Sequence, residues 1–155
     1  MTFDDRRCKG DKMKEENTAF LEIKSIQDGI ESMLLISDVR VSRKKHCRLI
    51  EFDGTEICGI PGEVTSFKIY DDNNVELTTT GRNNVSSSMI FEEGVKQHCH
   101  YTDAFNEPVE IGFSTNRVRS VTNERGGKLE IDYFVEFNNI LSSQNTMKLT
   151  YKYNS

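Results

Sequence analysis

No stretch of this sequence reaches the ~20 consecutive apolar residues that a membrane-crossing helix needs. Its opening residues, MTFDDRRCKGDKMKEEN, carry charge where a secretory leader carries a hydrophobic segment. The expectation is a cytoplasmic protein that does not engage a membrane. A basic excess is also missing. Lys and Arg number 20 against 25 Asp and Glu, a net charge of −5, which is the wrong sign for a chain that tracks nucleic-acid phosphates. The four cysteines (Cys8, Cys47, Cys58, Cys99) form no CxxC pair, so neither a zinc site nor a redox motif is spelled out. In a reducing compartment they are expected as free thiols. Glycine-rich phosphate loops are absent too: Gly59-Ile60-Pro61-Gly62 and Gly126-Gly127 read as turns with no helix after them. No cofactor is expected.

What the sequence does have is alternation. From Gly62 onward apolar and polar residues alternate almost without interruption, broken at short intervals by turn residues. At 155 residues the chain fits one domain with a real core. Residues 1–17 are charged and aperiodic and read as a mobile tail, leaving 18–155 as a single β domain. Leu21, Ile26, Ile30, Met33 and Leu34 fall near helical spacing, but Asp28-Gly29 is a turn signal. Two strands are preferred there, about 19–27 and 30–42, with Met33, Leu35, Val39 and Val41 on one face.

Parity sets the later hairpins. Around Asp71-Asp72-Asn73, opposing Ile69 to Val75 and Phe67 to Leu77 places all four on one face. Glu92-Glu93-Gly94 fits a three-residue loop with glycine in the left-handed position. Phe91 would then face Val95, Met89 face Gln97, Ser87 face Cys99 and Val85 face Tyr101. Leu129, Ile131, Tyr133, Val135 and Phe137 form one face of the longest strand, and Met147, Leu149, Tyr151 and Tyr153 continue it. A two-residue turn at Asn138-Asn139 requires a bulge near Ser142–Asn145, whereas a three-residue turn does not. About ten short strands in consecutive hairpins favour an all-β, antiparallel up-and-down barrel of about 8–10 strands, since closure removes exposed edges.

The series VELTTTG, MIFEEG, HYTDAFNEPVEIG, GGKLEIDYFVEFNN and NTMKLTYK resembles the YwiB-like family, from about Glu31 to Tyr153. These are small calycin-type β-barrel proteins of unknown function. The resemblance implies a lipocalin-like antiparallel barrel in a bacterial cytoplasm and no established reaction. Asn106 stands where a turn glycine is expected, and the chain is one residue longer around Glu107-Pro108. With no tryptophan anywhere, the glycine-x-tryptophan signature of true lipocalins is absent.

Chemistry is harder to assemble. His98 and His100 share a strand face and would be the first metal candidates, with His46 as a third ligand. Parity, however, puts both on the outer face, and no metal is expected. Cys99 cannot use either neighbour as a base, because adjacent strand residues point to opposite faces. Glu130, Asp132 and Glu136 occupy a solvent face. The basic run Arg40 to Arg48 (RVSRKKHCR) is either an anion contact or a solvated hairpin end guarding a strand edge. The inward set mixes small and polar residues with aromatics, which suits either a barrel holding a small ligand or a solid core whose serines and tyrosine hydroxyls satisfy one another. The reading is a non-enzymatic protein that binds a small, partly apolar ligand, with Met89, Phe91, Cys99, Tyr101 and Tyr133 as the cavity wall. The alternative is an interaction or structural module acting through its outer surface on an unknown protein partner.

Overall fold

The structure, a computed structural model, describes residues 15–54, 64–81, 86–102 and 108–154. Ten strands form one antiparallel sheet: β1 (Glu15–Gln27), β2 (Ile30–Arg43), β3 (Cys47–Asp53), β4 (Val64–Tyr70), β5 (Val75–Thr80), β6 (Ser86–Phe91), β7 (Lys96–Thr102), β8 (Pro108–Asn123), β9 (Gly126–Phe137) and β10 (Ile140–Tyr153). Their order is β6-β5-β4-β3-β2-β1-β10-β9-β8-β7. The sheet curls into a nearly closed calycin-like barrel. Neighbours in sequence are neighbours in space, with β1 zipped to β10 from Ala19↔Tyr153 to Gln27↔Asn145. β1 reaches back to Glu15, which pairs with Arg43. The remainder of the expected tail, 1–14, lies outside the described residues.

Local residue chemistry explains the tight turns. Asp28-Gly29 and Asn138-Asn139 both carry two positive φ angles (49° and 86°, 50° and 66°), the geometry that matches the twist of the strands on either side. Asparagine, aspartate and glycine enter that region at little cost. The Asp71–Asn73 hairpin has the expected register, Ile69↔Val75 and Phe67↔Leu77. At Asn138-Asn139 the two-residue turn is the one used, and the required bulge sits between Leu141 and Ser143.

Three expectations are corrected. Met33 and Leu35 do not share a face with Val39 and Val41. The ladder steps from Ala19↔Val39 to Leu21↔Ile36, so β2 carries one extra residue there, and Asp38 takes φ 59°. The bulge reverses parity: Met33 and Leu35 are exposed (54% and 56%), while Leu34 and Ile36 pack on the core. Second, β6 and β7 form no hairpin ladder among the described residues; they are the two ends of the sheet. Gly94 is left-handed as expected (φ 78°), but its turn docks on β8 instead. Gly94 N donates to Thr115 O at 2.9 Å, Thr115 N to Val95 O at 3.4 Å, and Val118 N to the Glu93 carboxylate at 2.7 Å. These bonds use the polar groups around the β8 irregularity between Thr115 and Arg117. Third, Cys47 is disulfide-bonded, with its partner outside the described side chains, so it is not a free thiol.

The middle of the barrel is solid. Leu21, Ile50, Phe67, Phe91, Ile131, Leu149 and Tyr151 are at most 1% exposed, each contributing roughly 1.5–3 kcal/mol by burial. Phe52 stacks on Phe67 with centroids 6.4 Å apart. Phe91 crosses the interior from β6 to meet Tyr133 of β9 at 5.1 Å and Phe113 of β8 at 6.4 Å. The β6/β7 seam is therefore closed by rings and by the Glu93 carboxylate.

Candidate functional site

The barrel is solid at its waist and hollow at both ends. At one end β8, β9, β10, β1 and β2 extend beyond the short strands β3–β6 and enclose a cavity of about 770 Å³. That lies within the ~300–1,000 Å³ of small-molecule sites. Residues directly opposed in antiparallel strands share a face, so the registers assign its inner wall. Gln27 opposes Ile30 and Asn145, Asn145 opposes Tyr133, and Ser25 opposes Ser32. Above them Ser143 opposes Val135, which opposes Phe113, and Phe137 opposes Ile111. Aliphatic and aromatic walls thus alternate with a few polar side chains. Asn145 Nδ2 donates to Ser143 Oγ at 2.8 Å, which holds one polar anchor in place. The Phe91–Phe113–Tyr133 ring cluster forms the floor, and exposed Ile30 and Phe137 form the rim (76% and 39%).

Of the expected wall residues, Tyr133 lines this cavity. Met89 and Phe91 are buried in the packed core beneath it, at 3% and 0% exposure. Cys99 and Tyr101 lie on β7 opposite Ile111 and Val109, and their side chains lie outside the described residues. The polar lining from Ser25, Gln27, Ser32 and Asn145 was not anticipated. Ser32 alternates inward on β2, whose parity depended on the unseen bulge, while Ser25, Gln27 and Asn145 continue the inward alternation of Leu21 and Ile23 on β1 and of Met147 and Leu149 on β10.

The opposite end holds a smaller cavity of about 250 Å³, lined by Arg43, Arg48, Ile69, Tyr70, Asp71, Asn73, Ser120 and Thr122. Arg43 opposes Arg48, and Arg48 opposes Ile69, so both guanidiniums rise from the inner face. Arg48 donates to the Tyr151 hydroxyl at 2.7 Å. Burial holds that hydroxyl above its ordinary pKa, and the Arg48 bond pulls the other way without cancelling it. Folding therefore favours the neutral phenol. Its contribution is complete below about pH 10 and is lost as pH rises through the higher folded value. Tyr151→Phe is expected to flatten the alkaline fall in stability, checked by urea midpoints at about pH 8 and about pH 11. An unchanged slope would show that another group sets the alkaline limb.

On the outer face the charged groups are spent on one another. Arg40 reaches Glu51 and Asp53 at 3.2 and 3.1 Å, and the Asp53 hydrogen bond raises its pKa against the opposing effect of burial. Arg117 bridges Glu130 and Asp132, the latter also accepting from Thr146, and Lys96 pairs with Glu136. His98 Nδ1 meets Glu110 at 2.8 Å. His46 sits at the other end of the barrel, its carbonyl accepting from Asp71 N. Among the described residues no group of three His, Cys, Asp or Glu is placed to hold a metal, and no helix is long and apolar enough to cross a membrane.

Comparison with known proteins adds a family and a fold. A family model described as Domain of unknown function (DUF1934) matches residues 21–149. The crystal structure of the ywiB protein from Bacillus subtilis is similar with a TM-score of 0.71 at 20% identity, covering 92% of this chain and 96% of that one. No curated protein matches the chain.

Proposed function

The chain belongs to the family described as Domain of unknown function (DUF1934), and from that premise we propose that it is a non-enzymatic binding protein whose wide cavity takes a small, partly apolar ligand. The observation that carries this reading is the mouth itself: about 770 Å³ with Ile111, Phe113, Tyr133 and Val135 on its walls and Ser143 and Asn145 as anchors. Walls of this composition favour an apolar body, and a few fixed polar groups orient one polar end of it. Arg40, Lys96 and Arg117 are engaged in ion pairs on the outer face, away from this cavity, which supports shape-based binding over chemistry there.

The test uses an uncharged probe, N-phenyl-1-naphthylamine, whose emission rises in apolar surroundings. Saturable binding of one probe per chain is expected. Val135→Trp, which fills the cavity from β9, should weaken it at least about tenfold, roughly 1.4 kcal/mol. Equal binding by the filled variant, or none by the parent, would overturn the proposal. A second reading rests on exposed Met33 and Leu35 on β2, whose residues 30–38 pair only with β1 among the described residues. Such an apolar flank beside an unpaired edge suits a protein contact. Concentration-dependent association abolished by Leu35→Lys, seen by sedimentation, would favour it.

A further inference from the structure

The narrow end is built for a different ligand. Its cavity of about 250 Å³ lies below the ~300–1,000 Å³ that accommodates drug-sized molecules. Its lining is mostly polar, and its two cations differ in state. Arg43 is neutralised by Asp71, at 3.1 Å. Arg48 meets no carboxylate among the described residues. One of its terminal nitrogens bonds the neutral Tyr151 hydroxyl, and its Nε is buried with no hydrogen-bond partner among the described residues. A guanidinium carries five donors in a rigid fork matched to planar or tetrahedral oxyanions. The Arg48 side chain lines the cavity with no carboxylate beside it among the described residues, so an oxyanion seated there would supply the missing counter-charge. Ser120 and Thr122, on alternate positions of β8, bring two hydroxyls to the same cavity.

We propose that this cavity binds a small oxyanion, a phosphate or carboxylate group, with Arg48 as the charged anchor and Ser120 and Thr122 as neutral donors. The site is separate from the wide mouth, with the packed waist between them, and does not depend on what the mouth holds. It also gives the basic run Arg40–Arg48 a division of labour. Arg40 is committed to Glu51 and Asp53 on the outer face, while Arg48 turns inward.

Calorimetric titration of the full chain with inorganic phosphate, and separately with acetate, tests this at low ionic strength, with chloride at matched ionic strength as the baseline. Saturable binding of at least one of the two anions is expected, and the stronger one names the source of the oxyanion. Arg48→Met should weaken it at least about tenfold, and Arg48→Lys, which keeps the charge but loses the fork, by less. Thr122→Val should weaken it a few-fold, and Arg119→Gln, on the exposed face of β8, should leave it unchanged. If Arg48→Met fails to fold, Arg48→Lys and Thr122→Val decide. Equal binding across parent, Arg48→Lys and Thr122→Val would overturn the proposal, as would no saturable binding of either anion up to about 50 mM, weaker than any millimolar site.

Discussion

Gly126→Ala is expected to remove a large part of the protein's stability. Gly126 opens β9 with φ 155°, and a Cβ there would lie 1.9 Å from the Tyr151 carbonyl oxygen, 2.9 Å from its carbon and 3.0 Å from Lys152 Cα. All three are backbone atoms of the partner strand, so no side-chain rotation relieves the clash. Relief requires β9 and β10 to part at Gly126↔Lys152, where Tyr153 N also donates to Arg125 O at 2.9 Å. The Tyr151 ring would move with them, and it lies over Gly127, where a Cβ would sit 2.5 Å from the hydroxyl. Overpacking costs ~1–3 kcal/mol and a strained backbone position ~1–3. The sum, roughly 2–6 kcal/mol, compares with a total of ~5–15 for a folded domain. Gly54→Ala is the control. Its φ is 67° and nothing lies within 4 Å, so only the left-handed penalty of about 1–2 kcal/mol applies. Urea midpoints of both variants decide the matter. A cost for Gly126→Ala no greater than for Gly54→Ala would mean that this corner yields readily.

The second large effect is expected at Phe91→Ala. The ring is fully buried and is held edge-on by Tyr133 and Phe113. Large-to-small changes of this kind cost ~3–5 kcal/mol, and at ~2–4 °C per kcal/mol for a domain of this size Tm should fall by roughly 6–20 °C. Position makes the case more specific than size does. Phe91 ends β6 and packs across the seam where no ladder joins β6 to β7 among the described residues, so side-chain contact takes the place of backbone pairing there. Amide exchange in β6 and β7 should accelerate more than in β1 or β10. A uniform change across the sheet, or a loss below about 1 kcal/mol, would show that the rings are not what holds the seam.

The strands could be read from the sequence because period-two alternation and turn chemistry are local signals. Asp28-Gly29, Asp71–Asn73 and Asn138-Asn139 each announce a hairpin through residues that tolerate positive φ, and the register around 71–73 follows from parity alone. Parity fails where one residue is inserted, and nothing in Ile36-Ser37-Asp38 marks the β2 bulge. That single residue hid the inward faces of Leu34 and Ile36 and, with them, the part of the cavity wall that β2 supplies. The β6–β7 pairing was misjudged for a related reason. Turn chemistry describes Glu92–Gly94 correctly but is silent on a competing strand, and β8 offers backbone groups at its irregularity that the turn takes up. Of the expected wall, Tyr133 followed from alternation on β9. At the narrow end, Arg40 and Arg48 look alike within RVSRKKHCR, and only the barrel's curvature separates an outward ion pair from an inward guanidinium.

The position of the seam has a consequence for how the chain must assemble. Among the described residues nine ladders hold the sheet, and eight join consecutive strands. The ninth, β1 to β10, brings together residues as far apart as Ala19 and Tyr153, a far longer loop than any hairpin closes, and so carries the largest closure entropy of the ladders among the described residues. In a circular permutant with β10 joined directly to β1 and the chain opened between β6 and β7, every ladder would link sequence neighbours. The same barrel would then zip from hairpin to hairpin along a nearly one-dimensional path. The native order places its one long-range ladder between the terminal strands and leaves β6 and β7, the two ends of the sheet, adjacent in the middle of the chain.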